Sequence, residues 1–239
     1  MKHMIPKVLS IALFFFILSI ASPGNALLID FETVPGDTPS DQLAITNQYE
    51  SLYGVTFSLS NGLTPHLEQS GGGDPGNGFS NNLNGGQDVA RTGYTGPSLG
   101  SYFLRLGTSS FYSVPVPELI ISYTNPVSGA SAQIWDIDVW SDGYEQWLVK
   151  AWDAGDNLLD STLSPVGLWY NQPASLDGLP WTWSFDRGGA ADIYKISIEF
   201  VGTRTSGIGL AFDNFNTNTP AVPEPSTLLL LGSGLAGLG

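Results

Sequence analysis

Ser131-Ala132-Gln133-Ile134-Trp135-Asp136-Ile137-Asp138-Val139 is a run in which apolar and polar residues alternate. Gln146-Trp147-Leu148-Val149-Lys150-Ala151-Trp152-Asp153 repeats the pattern, and Leu158-Leu159-Asp160-Ser161-Thr162-Leu163 follows a short break. A period of two sends successive side chains to opposite faces, as in strands with one buried face. Ala154-Gly155-Asp156-Asn157 lies between the last two runs, so they read as a hairpin. These three segments decide the fold class.

Outward from that centre the same signals recur. Leu28 to Glu32, Gly54 to Leu59, Tyr102 to Leu106 and Glu118 to Tyr123 read as strands. So do Trp181 to Phe185, Ile193 to Val201 and Gly209 to Phe215. Gly, Pro, Asn and Asp punctuate them. Helical periodicity is nearly absent; one short helix is expected between Asp41 and Leu52, with Leu43 and Ile45 facing inward. Roughly ten strands at this spacing imply an all-β chain folded as a single β-sandwich. The stretch Gly71 to Asp88 reads as a long loop; it lacks the Lys-Ser/Thr and the following helix of a phosphate-binding loop.

The ends are addresses. Lys2 and Lys7 precede the apolar run Val8 to Ile20, and Gly24-Asn25-Ala26 is a small-x-small cleavage site. Residues 1–26 therefore read as a secretory signal peptide, since the apolar run is shorter than the ~20 residues a membrane span requires. At the other end, Val222-Pro223-Glu224-Pro225-Ser226-Thr227 leads into a leucine- and glycine-rich run to Gly239. The two prolines stiffen the chain just ahead of the apolar segment. The sandwich is expected over 27–217 and the tail over 218–239.

Pro223, Glu224 and Pro225, with the flanking residues and the apolar run, closely resemble the PEP-CTERM sorting signal. That resemblance implies export by a Gram-negative bacterium, of a kind in which exopolysaccharide production is common. It also implies processing by an exosortase-type membrane enzyme, with transient membrane association through the tail. The family's tail ends in arginines, whereas this sequence ends at Gly239, so the tail reads as truncated before the basic cluster. The expectation is a surface or matrix destination rather than permanent membrane residence. The strand order in turn resembles a galactose-binding-like or carbohydrate-binding-module-like jelly roll. Its early Asp-Phe-Glu, its Gly54-Val55-Thr56-Phe57 and its closing Phe212-Asp213-Asn214-Phe215 recur in exported proteins with sorting signals.

Composition limits the function. The chain carries 22 acidic against 8 basic residues, a formal charge of −14. Loss of a leader containing Lys2 and Lys7 makes it two units more negative. Such a surface repels nucleic acid, which is excluded as a partner. There is no cysteine, hence no disulfide, thiolate metal site or Cys nucleophile. His66, which follows Pro65 in an expected loop, is the only histidine beyond the leader, and no Gly-x-Ser-x-Gly elbow occurs, which disfavours nucleophilic catalysis.

Three candidate sites remain. Asp30, Glu32, Asp213 and Asn214 supply hard oxygens for calcium if the first and last strands are neighbours, as the jelly-roll resemblance implies. Strand alternation sends Asp213 and Asn214 to opposite faces unless the strand is bulged. A solvated face and a turn cap is the alternative. Asp136, Asp138, Asp142 and Glu145 form an acidic series. The simplest reading is an outward acidic face; a glycosidase acid/base pair from Asp136, Asp138 and Glu145 and a second metal site are the others. Trp140, Trp169, Tyr170 and Trp181 fall near loops and are the candidates for stacking on sugar rings, whereas Trp135, Trp147 and Trp183 read as core. The leading expectation is a non-catalytic exported surface or matrix protein that binds calcium structurally, with polysaccharide as its candidate ligand. A carbohydrate-active enzyme and a purely structural matrix protein are the alternatives.

Overall fold

The computed structural model describes residues 27–70, 94–96, 99–108, 112–169, 171–209 and 211–218. The expected signal peptide, the 71–88 loop, Tyr170 and the motif residues Pro223, Glu224 and Pro225 lie outside them. Among the described residues the elements run β1 (Leu27–Ile29), α1 (Glu50–Tyr53), β2 (Val55–Leu59), β3 (His66–Gln69), β4 (Tyr102–Arg105), β5 (Leu119–Val127) and β6 (Gly129–Trp135). There follow β7 (Val139–Trp140), β8 (Gly143–Tyr144), β9 (Trp147–Trp152), β10 (Leu158–Leu163), β11 (Pro180–Asp186), β12 (Ile193–Phe200) and β13 (Ala211–Asn218).

Two antiparallel sheets result. One has the order β11-β6-β13-β4-β3, with β1 also pairing with β13. The other has the order β10-β9-β12-β5-β2, and β7 and β8 form a small separate ribbon. The chain crosses repeatedly from sheet to sheet, as a jelly-roll sandwich requires. The expected hairpin is present: Lys150 pairs with Ser161 and Leu148 with Leu163.

The main core lies between the sheets. Ile134, Phe212, Leu104 and Trp183 face Val149, Ile196, Ile198, Ile121 and Phe57 in one cluster. Rings span the gap, with Phe57 and Phe215 centred 5.2 Å apart and Trp147 and Phe212 5.7 Å apart. On β9 this gives strict alternation, Trp147, Val149 and Ala151 being buried and Leu148, Lys150 and Trp152 only half-buried. The first sheet is buried on its other face as well, where Phe103, Trp135 and Ala211 form a second cluster capped by Tyr94 and Leu99. That second layer explains why β6 is buried almost throughout although its residue types alternate.

Three local expectations are corrected. The first strand stops at Ile29 instead of continuing to Glu32, because Phe31 turns to φ 58°. A left-handed phenylalanine is uncommon. It is held there by burial among Tyr49, Phe57 and Phe215, whose ring centroids lie 5.7 to 5.8 Å away. The helix shrinks to Glu50–Tyr53; Ile45 is buried and Leu43 packs on the core, but both do so from the non-helical segment ahead of it. His66 sits in β3 rather than in a loop, in register with Arg105.

That β3–β4 pair carries a buried ion pair, Arg105 Nη1 to Glu68 Oε2 at 2.5 Å. Arg105 also donates to the Thr108 carbonyl. Removing one partner strands a charge in the interior, at about 3–5 kcal/mol. Arg105→Met is therefore expected to lower the urea unfolding midpoint strongly. The double variant Glu68→Leu/Arg105→Met is expected to recover most of the loss; equal midpoints for single and double variants would refute the pairing.

Candidate functional site

Two polar centres are built on this scaffold. The first lies where the chain ends meet. β1 runs antiparallel to β13, with Leu28 opposite Asn216 and Ile29 opposite Phe215. β13 is bulged against β6: the register slips between Asp213 and Asn216, and Asn214 adopts φ 55°. Asparagine tolerates this left-handed geometry better than most residues. The bulge breaks the alternation, so Asp213 and Asn214 are both buried.

Asn214 Nδ2 donates to Gln133 Oε1 at 2.9 Å, and Gln133 Oε1 also accepts from Trp135 Nε1 at 3.2 Å. Asp213 Oδ1 accepts from the Asn214 N–H at 2.7 Å, and the Gly100 N–H bonds to the same carboxylate. Burial raises the Asp213 carboxyl to about 8, the two backbone bonds oppose the shift, and Asp30 and Glu32 reinforce it. Among the described residues Asp213 has no cationic partner.

Glu32 Oε1 accepts from the Tyr102 N–H at 3.0 Å, and a side chain at position 100 would collide with its carboxylate. Asp30 is half-buried and accepts from the Glu32 N–H. Asp30, Glu32 and Asp213 thus neighbour one another, yet among the described residues they do not meet as a preformed three-ligand group. Their chemistry fits a hard divalent cation: all are oxygen donors, and the deepest is a carboxyl without a countercharge.

The second centre is the acidic series, and it does not form an outward face. β6 ends at Trp135 because Asp136 takes φ 67°, so Asp136 and Asp138 do not share a strand. Asp136 and Glu145 are buried. The series folds around a residue that sequence reasoning missed, Arg204. Its Nη1 donates to Asp138 Oδ1 at 2.5 Å and to Glu145 Oε1 at 3.0 Å, and its Nε lies 4.0 Å from Asp142. The available signal was scarcity: Arg204 is one of 8 basic residues against 22 acids and lies in the turn-like stretch Gly202 to Gly207.

Asp142 Oδ2 accepts from the backbone and hydroxyl of both Thr205 and Ser206. These bonds depress its carboxyl pKa against its desolvation and lock the 203–206 loop onto the β7–β8 ribbon. Burial pushes Asp138 up to about 6 despite Arg204, with Asp177 and Asp142 adding to the rise. Burial likewise raises Glu145, helped by Asp138 and opposed by Arg204.

Trp140 and Trp169 stand on this clamp. Trp140 is in β7; Trp169 follows Gly167, whose N–H donates to the Glu145 carbonyl at 2.9 Å. Glu145 N–H in turn donates to the Asp138 carbonyl, and a Cβ at Gly167 would strike that same carbonyl. The two rings lie 5.6 Å apart at 51° and are 54% and 40% exposed. Trp181 is not exposed beside them but packs on the main core, and Tyr170 is outside the described residues. Trp135, Trp147 and Trp183 are core, as expected.

The described domain is a β-sandwich, and the chain carries a signal for export. Residues 221–239 match the PEP-CTERM protein-sorting motif, which implies export to the cell envelope of a Gram-negative bacterium and processing by an exosortase. No curated protein matches the sequence. Among solved structures, the K2 cleaved adhesin domain of Lys-gingipain is similar at 12% identity over 82% of this chain and 100% of that domain, with a TM-score of 0.41. A likeness that distant bears on neither ligand nor activity.

The raised carboxyls have a consequence for stability. A carboxyl whose pKa is higher folded than unfolded holds its proton more tightly when folded. Stability then falls as pH rises from the unfolded value, ~4, through the folded one. Glu145 and Asp138 both act in this sense, while Asp142 and Asp153, which are depressed, act only below that window. In Glu145→Gln the decline in thermal midpoint between mildly acidic and neutral pH is expected to be shallower than in the parent; an unchanged slope would contradict the burial of an ionisable Glu145.

Proposed function

We propose that this exported protein acts at the cell surface or in the extracellular matrix as a non-catalytic polysaccharide-binding sandwich, with calcium as a structural ion. The observation that carries the reading is the Trp140–Trp169 pair. Large monomers seldom leave two tryptophans exposed side by side without a use, and indole faces cover the apolar faces of sugar rings well. The pair also stands on a fixed base, because Asp142, Glu145 and Gly167 bond the ribbon and the 167–169 segment to the sandwich. A preorganised aromatic surface loses little conformational entropy on binding.

The acidic series supports binding better than hydrolysis. Of Asp136, Asp138 and Glu145, only Asp138 has appreciable side-chain exposure, and it shares one guanidinium nitrogen with Glu145. A glycosidase needs both carboxyls on the sugar. Calcium is assigned to Asp30, Glu32 and Asp213, with Asn214 holding the bulge that turns Asp213 inward. There the ion would neutralise a buried carboxyl and join the first and last strands. The exosortase-processed tail gives transient membrane contact.

Affinity electrophoresis through gels cast with bacterial exopolysaccharide tests the glycan reading. The parent is expected to be retarded, and Trp140→Ala and Trp169→Ala each to lose at least about 1–3 kcal/mol of binding, by analogy with stacking lost on truncation of an aromatic platform. Parent-like retardation of both variants would rule the pair out. For the ion, calcium is expected to raise the thermal midpoint of EDTA-treated protein and to have no such effect on Asp213→Asn; an identical response in both would reject the assignment.

A further inference from the structure

The surroundings of the Trp140–Trp169 pair carry a charge that selects among glycans. Arg204 is the only cation among the described residues bonded to this centre, and it faces Asp138, Glu145 and Asp142. Asp177 lies close enough to act on Asp138 as well. Even with Glu145 protonated, Asp138 and Asp142 set two carboxylates against one guanidinium. The carboxylates are not buried beyond reach: the Asp138 and Asp142 side chains are 23% and 28% exposed. Asp138 and Asp142 flank Trp140 in the chain at two residues' distance on either side.

The indole faces add negative electrostatic potential of their own. Two rings meeting at 51° form an open corner rather than a flat stack, and a cation within about 6 Å of either ring is attracted to its face. The whole chain, at −14, adds long-range attraction for cations and repulsion for anions.

The geometry points to a polysaccharide bearing free amino groups, a partly de-N-acetylated hexosamine polymer, as the ligand of the Trp140–Trp169 pair, in preference to a uronic acid polymer. This rests on the pair being a glycan site. The sugar ring covers one indole, while the ammonium group lies in the corner between the rings, towards Asp138 and Asp142. Arg204 acts as a positioning residue that fixes Asp138 and favours its ionised form, while the Thr205 and Ser206 bonds do the same for Asp142.

Calorimetric titration of the mature protein with oligosaccharides of equal length tests the charge preference. The probes are glucosamine, N-acetylglucosamine, galacturonate and N,N,N-trimethylglucosamine oligomers; the last holds its charge at every pH. At low salt the two cationic oligomers are expected to bind about tenfold more tightly than the acetylated one, the ratio that 1.4 kcal/mol of cation–π and carboxylate attraction produces. The galacturonate oligomer is expected to bind weakest. Raising the salt is expected to narrow the gap, because exposed charges are screened. Trp140→Ala and Trp169→Ala, both at exposed positions, are expected to abolish the preference while leaving the circular dichroism spectrum unchanged. Asp142→Asn, checked for folding in the same way, is expected to reduce the ratio of cationic to acetylated affinity. Equal or tighter binding of the acetylated or galacturonate oligomer would overturn the charge preference and leave the glycan site standing. If no oligomer and no exopolysaccharide binds, both readings fall.

Discussion

The bulge in β13 is the constraint on which the rest of the structure depends. β13 pairs with β6 along one edge and with β1 and β4 along the other, so it holds three strands of one sheet in register. A regular strand in its place would send Asp213 and Asn214 to opposite faces and put one polar side chain into the core between the sheets. One extra residue, with Asn214 left-handed, turns both away from it. Phe212 and Phe215 then both reach the main core, on either side of the bulge, and Phe215 closes the aromatic cluster around Phe31. Packing of the sandwich and placement of its buried carboxyl are therefore consequences of a single backbone irregularity.

The sheets were legible because their signal is local. Alternation in Trp147 to Trp152 and the Gly/Asn turn before Leu158 specify a hairpin whatever surrounds them. The core assignments of Trp135, Trp147 and Trp183 followed from their positions inside such runs. What stayed hidden depends on long-range contact. Asp136 looks like one more outward residue of an alternating strand until its left-handed conformation ends β6. Phe31 looks like an inward strand residue, and it is inward, but it gets there through a turn that only the Tyr49, Phe57 and Phe215 rings make tolerable. The pairing of β1 with β13 was anticipated from a fold resemblance and not from any periodicity. Arg204 was overlooked because a lone arginine in a Thr-, Ser- and Gly-rich turn has no motif; its importance lies in three acids brought to it from another part of the chain.

Cation scarcity links the two polar centres. Where acids outnumber bases so heavily, each base within the fold can answer only part of the local negative charge. Arg105 is committed to Glu68, Arg187 to Asp192 through two parallel bonds, and Lys150 and Lys195 to Glu199 and Asp156 while flanking Trp152. Arg204 must serve three carboxyls at once. Asp213, among the described residues, is served by dipoles alone.

Burying a carboxyl without a countercharge is costly, and the group responds by raising its pKa or by acquiring a cation. The two centres represent different degrees of the same shortage. At Arg204 one guanidinium suffices to organise the ribbon and the 203–206 loop but leaves residual negative charge beside exposed indoles. At Asp213 no side-chain cation of the described chain is supplied, so neutralisation must come from a proton or from an ion in the surroundings. In the proposed reading, external cations complete this composition: a small hard one at the buried Asp213 carboxyl where β1 meets β13, and an organic one at the aromatic corner at the surface. The proposed difference in ligand follows from a difference in burial: the Asp213 carboxyl is enclosed and suits a bare ion, whereas an open pair of rings can accept a charge that remains attached to a sugar.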